Sequence, residues 1–359
     1  MPSLTVDGVR IPAEPHDTFL EAMQRAETMT GLSCYAGDCG VCKCEYVSGE
    51  IVELEDLAGA LAPAERARNI VLGCRTEVLG DVVIRSIRDD ERVTHPLRTV
   101  PTRVESVDAL THDIKRFRLA TDNGAPLAFS AGQYAKVTFA PDVHREYSMA
   151  NPPHDPVLEF HVRRTANGLA SNHVWDRLAV GDQVAVEGPQ GSCYLRDRHP
   201  APILLAGGGS GMAPMLSILE SALHLGMSQP IRLYFGVREE RDLYATDRLE
   251  ALARAHANFR YDIALSGPAS DPSHRHERGP GSDSGHRPYR TGMLHELIAM
   301  DWSELVVGKA YLAGPPVMVE AVSALLRGRG VALHDIHADA YYTEAEKAKL
   351  QAHGAKART

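Results

Sequence analysis

Four cysteines have the side chains and the spacing needed for metal–sulfur chemistry. Cys34, Cys39 and Cys42 follow a C-x4-C-x2-C pattern, and Cys74 lies much later in the chain. This spacing is typical of a plant-type [2Fe–2S] cluster, in which a loop wraps the two irons and a distant thiolate completes the site. Glycines in the loop let the backbone turn tightly, so that its N–H groups can face the sulfurs. Because such a cluster exchanges single electrons, we expect the rest of the chain to supply them.

Other interpretations of the cysteines fit less well. A structural zinc site usually takes two close C-x2-C pairs, and this pattern contains only one. A disulfide framework suits small secreted chains, whereas this chain is long and its polar N-terminus does not resemble a signal peptide. The two remaining cysteines, Cys44 and Cys193, are predicted to be small buried residues rather than ligands.

Composition and charge limit the class of protein. The chain has 359 residues, of which 44% are hydrophobic and 24% are charged, as in a globular protein of two or three domains. No apolar run approaches the roughly 18 residues needed to span a bilayer, so we expect a soluble, cytoplasmic protein with no membrane partner. The net charge is −9, and residues 1–90 hold 16 acidic against 8 basic residues. This balance disfavours nucleic acid and suits docking to a basic patch on another protein, although an acidic surface kept for solubility explains it equally well.

Three patterns of secondary structure follow one another along the chain. Residues 1–90 combine short strands with a helix near 18–28, which predicts a β-grasp ferredoxin domain. A polar linker over 88–99 leads to residues 98–198, where short alternating strands and glycine or proline turns predict a small antiparallel β-barrel. Residues 199–342 alternate strands with helices, which predicts a doubly wound, parallel α/β sheet.

Two further segments stand apart from these domains. Residues 266–291 are rich in Gly, Pro, Ser, His and Arg without periodicity, and we predict a flexible surface insertion that does not bind metal. Residues 343–359 are helix-like and form a predicted C-terminal tail, whose role is open.

The barrel pattern includes residues suited to a flavin. A flavin dinucleotide needs a cation for its pyrophosphate, an aromatic face for its ring and a hydrogen-bond partner near N5, and Arg145, Tyr147 and Ser148 can supply these. Strand alternation places Arg145 and Tyr147 on one face. Taken alone, an arginine and a tyrosine in a strand are more often surface residues that bind no ligand.

A second predicted anion site follows along the chain. A strand leads through a glycine turn into a helix opened by Ser171 or Asn172, whose free N–H groups suit a pyrophosphate. The predicted cofactor-binding residues of this part are Val162, Arg163, Gly168, Leu169, Ala170 and Ser171.

Two glycine turns in the α/β pattern suit a dinucleotide. Each follows a predicted strand and precedes a helix, at the carboxyl end of a parallel sheet where ligands bind; the helix after the first turn is predicted to begin near Pro214. The first turn is not a G-x-G-x-x-G sequence because Met212 replaces the last glycine, so a glycine turn without a ligand stays open. After the second strand, Arg238 would attract the 2′-phosphate of NADPH, whereas the acidic pair Glu239 and Glu240 would repel it. We favour NADH over NADPH. The predicted nucleotide-binding residues are Gly207, Gly208, Gly209, Ser210, Gly211, Gly314, Pro315 and Met318.

Taken in order, these motifs resemble a known family. C-x4-C-x2-C…C, R-x-Y-S, G-G-x-G-x-x-P and G-P-P-x-M are similar to flavin-dependent reductases that fuse a plant-type ferredoxin to a ferredoxin-reductase-like module. The stretches THDIKRFRL, EYSMANPP, LYFGVREERDLY and IHADAYY more narrowly resemble the reductase component of naphthalene-type aromatic-ring-hydroxylating dioxygenases. The resemblance covers nearly the whole chain. It implies FAD, NADH as the electron donor and the [2Fe–2S] cluster as the exit.

The resemblance also implies roles for single residues. Arg145 would hold the FAD phosphates, Tyr147 would flank the isoalloxazine, and residues 168–171 would cradle the pyrophosphate. Ser148 would contact flavin N5, and Tyr341 would cover the flavin until nicotinamide displaces it; these two are the predicted catalytic residues.

The chain departs from the family pattern at two places. Ala313 stands where the family usually has a cysteine beside the nicotinamide, which puts the rate or nucleotide preference of hydride transfer in question. The tail also extends farther past Tyr341 than in relatives.

The function implied by the resemblance is an NAD(P)H-dependent reductase that serves a Rieske-type ferredoxin or a Rieske oxygenase in aromatic-ring hydroxylation, and we expect a monomer. Two alternatives stay open: the reductase of a di-iron monooxygenase, and a non-enzymatic redox sensor. The sequence does not specify the aromatic substrate, nor whether the acceptor is a separate ferredoxin.

Overall fold

The described part of the chain forms two compact units. The computed structural model describes residues 2–26, 42–54, 61, 63–86, 93, 95–122, 124, 126–267 and 289–343. The first unit comprises Met1–Arg92 with Tyr342–Thr359, and the second comprises Val93–Tyr341. Among the described residues, no helix has the length and apolar character needed to cross a membrane.

The first unit is a β-grasp fold. Its elements are β1 (Ser3–Val6), β2 (Val9–Pro12), α1 (Phe19–Arg25), β3 (Lys43–Ser48), β4 (Ile51–Glu53), α2 (Pro63–Arg66), β5 (Ile70–Leu72), β6 (Thr76–Val78) and β7 (Asp81–Ser86). The main sheet has the order β2-β1-β7-β3-β5, and β4 pairs with β6 in a second, two-stranded sheet. Strands β1 and β7 run parallel, while the other pairs are antiparallel.

Helix α1 is fixed by its cap and by its apolar face. The Thr18 hydroxyl accepts a hydrogen bond from the Glu21 N–H at 3.2 Å, and the Glu21 carboxylate accepts one from the Thr18 N–H at 2.8 Å. This capping box satisfies two backbone donors that the first turn would otherwise leave open. Phe19 and Met23 are buried against the sheet. The helix ends at Arg25, and the predicted continuation to 28 lies outside the described residues.

The second unit begins with a six-stranded antiparallel barrel. Its elements are β8 (Arg98–Ala109), β9 (Ile114–Thr121), β10 (Tyr134–Ala140), β11 (Val143–Ser148), β12 (Leu158–Arg163), α3 (Leu169–Asp176) and β13 (Gln183–Gln190). The strand order is β11-β10-β13-β8-β9-β12. A backbone bridge between Met149 and Phe160 connects the two edge strands, so the sheet is nearly closed. Buried aromatic rings such as Phe117 and Phe160 stack inside it, 5.2 Å apart.

The prediction that α3 opens at Ser171 or Asn172 is wrong by two to three residues. The helix starts at Leu169, with Gly168 as its N-cap. The Ser171 hydroxyl already lies inside the first turn, where it donates to the Gly168 carbonyl and accepts from the Thr165 N–H. It therefore fastens the preceding loop rather than capping the helix.

The rest of the second unit is a parallel, doubly wound sheet. Its elements are β14 (Ile203–Gly208), α4 (Met212–His224), β15 (Ile231–Val237), α5 (Thr246–Ala255), β16 (Phe259–Leu265), β17 (Arg290–Thr291), α6 (Leu294–Met300), β18 (Lys309–Gly314), α7 (Pro316–Gly328) and β19 (Ile336–Ala340). The strand order is β17-β16-β15-β14-β18-β19. Alternate strand residues face opposite cores: Leu205 packs with α4 and α5, and Leu204 packs with α6 and α7.

Two boundaries differ from the sequence prediction. Helix α4 begins at Met212, two residues before Pro214, because a tight turn at Gly209–Gly211 leads directly into it. The predicted insertion also ends earlier than Thr291, since Arg290–Thr291 forms β17 and pairs with β16. Most of the insertion, residues 268–288, lies outside the described residues.

Candidate functional site

Cys42 and Cys74 lie side by side in the first unit. Cys42 directly precedes β3, and Cys74 lies in the turn Gly73–Arg75. Their sulfurs are 3.3 Å apart, much farther than the 2.03–2.05 Å of a disulfide bond but close enough to bind one metal ion. The backbone N–H of Cys74 lies 3.4 Å from the Cys42 sulfur, and a donor there stabilises a thiolate. The pair therefore fits an iron site. Cys34 and Cys39 lie outside the described residues.

The other two cysteines are buried in apolar surroundings. Cys44 lies on β3 in the core of the first unit, and Cys193 lies in the core beneath the parallel sheet. Burial raises the pKa of both thiols, so both stay protonated near neutral pH. The Cys193 sulfur lies 3.2 Å from the His337 carbonyl oxygen, as a weak donor to it. Neither residue has the environment of a reactive thiolate.

The flavin-type residues of the barrel lie together on β11. Arg145 and Tyr147 are half-buried on one face, and Ser148 is buried at the end of the strand. The Tyr147 ring meets Phe117 and Phe139 edge-on, with centroids 6.3 and 6.4 Å away. Burial raises the pKa of Tyr147, so its phenol is neutral. Arg145 offers a cation and Tyr147 a rigid aromatic ring within one strand.

Ser148 meets residues from the far end of the chain. Its hydroxyl oxygen lies 3.0 Å from the Tyr341 phenol oxygen and 3.3 Å from an Asp339 carboxylate oxygen. The Tyr341 N–H donates to the carbonyl oxygen of Gly314 at 2.9 Å. Burial, followed by the charge of Asp339, raises the pKa of Tyr341 well above its usual value. The barrel, β19 and the turn after β18 therefore converge at these polar atoms.

Asp339 is a functional candidate that sequence reasoning missed. It lies on β19, two residues before Tyr341, so strand alternation directs both side chains to the same side. The sequence HADAYY contains this two-residue spacing of Asp339 and Tyr341. Nothing in the sequence indicated that Ser148 would lie beside them.

The strand and helix after β11 provide a second set of predicted residues. Val162 is buried in the barrel, while the Arg163 guanidinium pairs with the Asp113 carboxylate at 2.9 Å. Leu169 is 75% exposed at the start of α3, so its backbone N–H rather than its side chain suits an anion. Ala170 and Ser171 are buried behind it.

The two glycine turns pack backbone against backbone. A Cβ atom on Gly211 would overlap the Ala313 carbonyl, and one on Gly314 would lie 2.8 Å from the Gly208 carbonyl oxygen. A Cβ atom on Gly208 would lie 2.6 Å from the Met318 sulfur. At these three glycines the turns after β14 and β18 therefore leave no room for a side chain, and only backbone groups can face a ligand there. Ser210 and Pro315 complete these turns.

Arg163 also reaches the first glycine turn. A Cβ atom on Gly209 would lie 2.8 Å from an Arg163 guanidinium nitrogen, and Gly209 has a φ of +54°, a conformation that glycine adopts without strain. A cation from the barrel thus lies against the loop of the α/β domain.

Comparison with known proteins agrees with this arrangement. Three family models match in chain order: a 2Fe-2S iron-sulfur cluster binding domain over residues 4–79, an oxidoreductase FAD-binding domain over 101–194 and an oxidoreductase NAD-binding domain over 205–324. The reductase component of the naphthalene 1,2-dioxygenase/salicylate 5-hydroxylase systems of Ralstonia sp is 40% identical over 93% of this chain and 96% of its own. The chain belongs to the ferredoxin-fused, FAD-dependent reductases.

Other relatives of this reductase support the same family. The naphthalene 1,2-dioxygenase reductase component of Pseudomonas putida is 35% identical, over 92% of this chain and 95% of that protein. The crystal structure of an Amycolatopsis cytochrome P450 reductase covers 95% of this chain and 98% of its own, with a TM-score of 0.68 at 35% identity. The resemblance drawn from the motifs, the three-part fold and the set of FAD, NAD and [2Fe–2S] domains are confirmed. The domain boundaries and the roles of single residues stay predictions.

Proposed function

We propose that this reductase passes electrons from NADH, through FAD and a [2Fe–2S] cluster, to a Rieske-type ferredoxin or Rieske oxygenase in aromatic-ring hydroxylation. The convergence of Ser148, Tyr341 and Gly314 carries the proposal. It brings the hydroxyl expected at flavin N5 next to the turn expected at the nicotinamide. The Rieske assignment draws support from the two relatives that are named as components of naphthalene dioxygenase systems.

The described residues suit the binding and orientation of these groups. When bound, FAD accepts electrons in pairs and releases them singly, which the cluster requires. The Arg145 guanidinium would be a cation for the FAD phosphates, and the neutral Tyr147 ring would be a face for the isoalloxazine. Ser148 would supply a hydroxyl to N5, and Tyr341 would exclude water from the flavin face. This assignment requires no general acid, base or nucleophile from the protein.

A visible spectrum of the purified protein tests the class of cofactors. We expect flavin and iron–sulfur bands that both bleach after anaerobic addition of NADH. Reconstitution with a Rieske oxygenase system and, separately, with a di-iron hydroxylase then tests the acceptor, with NADH-coupled hydroxylation as the readout. Coupling to the di-iron enzyme alone would contradict the Rieske assignment.

Cys74→Ala tests the order of the carriers. The variant removes one of the two adjacent thiolates, so we expect loss of the cluster bands and of electron transfer to the protein acceptor. NADH oxidation with ferricyanide should persist, because that acceptor takes electrons directly from the flavin. Cys44→Ala is the matched control and should keep both the cluster and the transfer. Loss of ferricyanide activity in Cys74→Ala with FAD still bound would mean that the cluster precedes the flavin.

A further inference from the structure

Tyr244 lies beneath the first glycine turn, and sequence reasoning did not single it out. It follows the second strand of the parallel sheet, β15, and its side chain is buried. Its hydroxyl donates a hydrogen bond to the Gly209 carbonyl oxygen at 3.1 Å. The bond joins two segments that are 35 residues apart and fixes one peptide group of the turn.

Fixing this carbonyl also fixes the next amide. The peptide between Gly209 and Ser210 is planar, so its carbonyl and the N–H of Ser210 point in opposite directions. With the carbonyl held toward Tyr244 and also accepting from the Met212 N–H, the Ser210 N–H is directed away from the core. Backbone N–H groups that point outward from such a turn form an anion site.

The tyrosine ring is itself held from two sides. It meets His161 edge-on at a centroid distance of 5.4 Å and Phe235 at 5.5 Å. His161 lies on barrel strand β12 and bonds Glu159 at 3.0 Å, and the Glu159 carboxylate lies 3.6 Å from the Arg248 guanidinium on α5. Hydrogen bonds, an ion pair and a ring contact therefore connect the barrel to the glycine turn.

We propose that Tyr244 is a positioning residue for the nicotinamide dinucleotide, because its hydroxyl orients the Gly209–Ser210 peptide so that the Ser210 amide faces the pyrophosphate. The inference rests on the proposed nucleotide site at residues 207–211. It extends that site to a side chain that does not itself touch the ligand. Removal of one neutral hydrogen bond of this kind corresponds to a change of about two- to twelvefold in affinity.

Tyr244→Phe in the FAD-loaded, full-length reductase tests the proposal. The variant keeps the ring and its packing and removes only the hydroxyl. We expect the Kd of NAD⁺, measured by titration calorimetry, and the KM for NADH to rise by about two- to twelvefold. The kcat at saturating NADH should stay within about twofold of the wild type, since the reacting atoms are unchanged. FAD content should also be unchanged.

Tyr261→Phe is the matched control. Tyr261 is buried on β16 of the same sheet and stacks on Phe259, away from the glycine turn. Its variant should bind NAD⁺ as the wild type does. Equal affinities in Tyr244→Phe and wild type, or the same loss in both variants, would overturn the positioning role. A wild-type protein that does not bind NAD⁺ at all would overturn the nucleotide site as well.

Discussion

At the scale of single residues, the hydroxyl of Ser148 has two polar neighbours and one proton. An ionised carboxylate only accepts hydrogen bonds, so a bond to Asp339 requires Ser148 to donate. Ser148 then accepts from the Tyr341 phenol, whose raised pKa keeps it protonated. We therefore expect Tyr341 to donate a hydrogen bond to Ser148, and Ser148 to donate one to Asp339. Because this order uses the Ser148 proton and one of its two oxygen lone pairs, the second lone pair is the group left for an N–H donor such as reduced flavin N5.

We also expect single residues to set the choice between NADH and NADPH. Glu239 lies two residues after the end of β15, in the region where doubly wound sheets bind the adenosine ribose. Its carboxylate pairs with the Arg241 guanidinium at 2.9 Å and stays half-exposed. A carboxylate at this position accepts from a ribose 2′-hydroxyl and repels a 2′-phosphate.

Glu239→Ser should therefore shift the nucleotide preference toward NADPH. Loss of the repulsion and of the ribose contact predicts a change of about tenfold or more in the ratio of kcat/KM for NADH to that for NADPH. Steady-state kinetics with ferricyanide measure both values. Glu240→Ser, at the exposed neighbouring position, should change the ratio less than Glu239→Ser does. An unchanged ratio in Glu239→Ser would remove Glu239 from the nucleotide site.

At the scale of elements, the turns after β14 and β18 depend on each other. These strands are neighbours in the sheet, and the tight contact of Gly211 with the Ala313 carbonyl joins their turns. The contact involves backbone atoms on both sides, so neither partner can move aside without shifting a strand. The geometry of the nucleotide site is therefore a property of the strand pair, and glycine at 211 is a steric requirement.

Gly211→Ala should destabilise the α/β domain. The added methyl group would overlap the Ala313 carbonyl, and we expect a loss of about 2–4 kcal/mol in the free energy of unfolding, together with weaker NAD⁺ binding. Denaturant unfolding of the FAD-loaded protein measures the first quantity. Gly328→Ala is the control, because a methyl group at this end of α7 meets nothing within 4 Å. That variant should be neutral or slightly stabilised, and an equally stable Gly211→Ala would disprove the steric requirement.

The elements also mark what the sequence could and could not predict. The spacing of the hydrophobic residues predicted the parallel sheet, and the positions of the glycines predicted the turn after β14. Both signals are local in the sequence. The contacts of Tyr244 with Gly209 and of Asp339 with Ser148 were missed, since they join residues 35 and 191 positions apart. Strand β17 is only two residues long, too short for a detectable period. The start of α3 was misplaced because a serine of the first turn was taken for its cap.

At the scale of the whole molecule, charge is distributed unevenly. Residues 1–90 carry a balance of −8 out of a total of −9, and the described part of this region exposes acidic side chains such as Glu50, Glu53 and Asp81. The matched cluster-binding domain falls in the same region. The proposed electron exit is thus on the most acidic part of the chain, whereas the FAD and NAD domains are close to neutral. Such a field attracts a basic acceptor and speeds its encounter.

Electron transfer to the protein acceptor should therefore depend on salt. Screening shortens the range of charge attraction from about 10 Å at 0.1 M salt to about 3 Å at 1 M. We expect the NADH-dependent rate of acceptor reduction to fall by about tenfold across this range at subsaturating acceptor. Reduction of a neutral quinone by the same protein should stay nearly constant, because no charged encounter limits it.

Charge-reversal variants test which part of the molecule attracts the protein acceptor. Glu50→Lys changes an exposed residue of the ferredoxin unit, and Glu105→Lys makes the same change on the exposed side of the barrel. At low salt the first variant should slow acceptor reduction by roughly twofold or more, and the second should leave it unchanged, because only the first lies in the acidic unit. High salt should abolish the difference between them. A flat salt profile, or equal slowing by both variants, would mean that the acidic balance of residues 1–90 serves solubility and not docking.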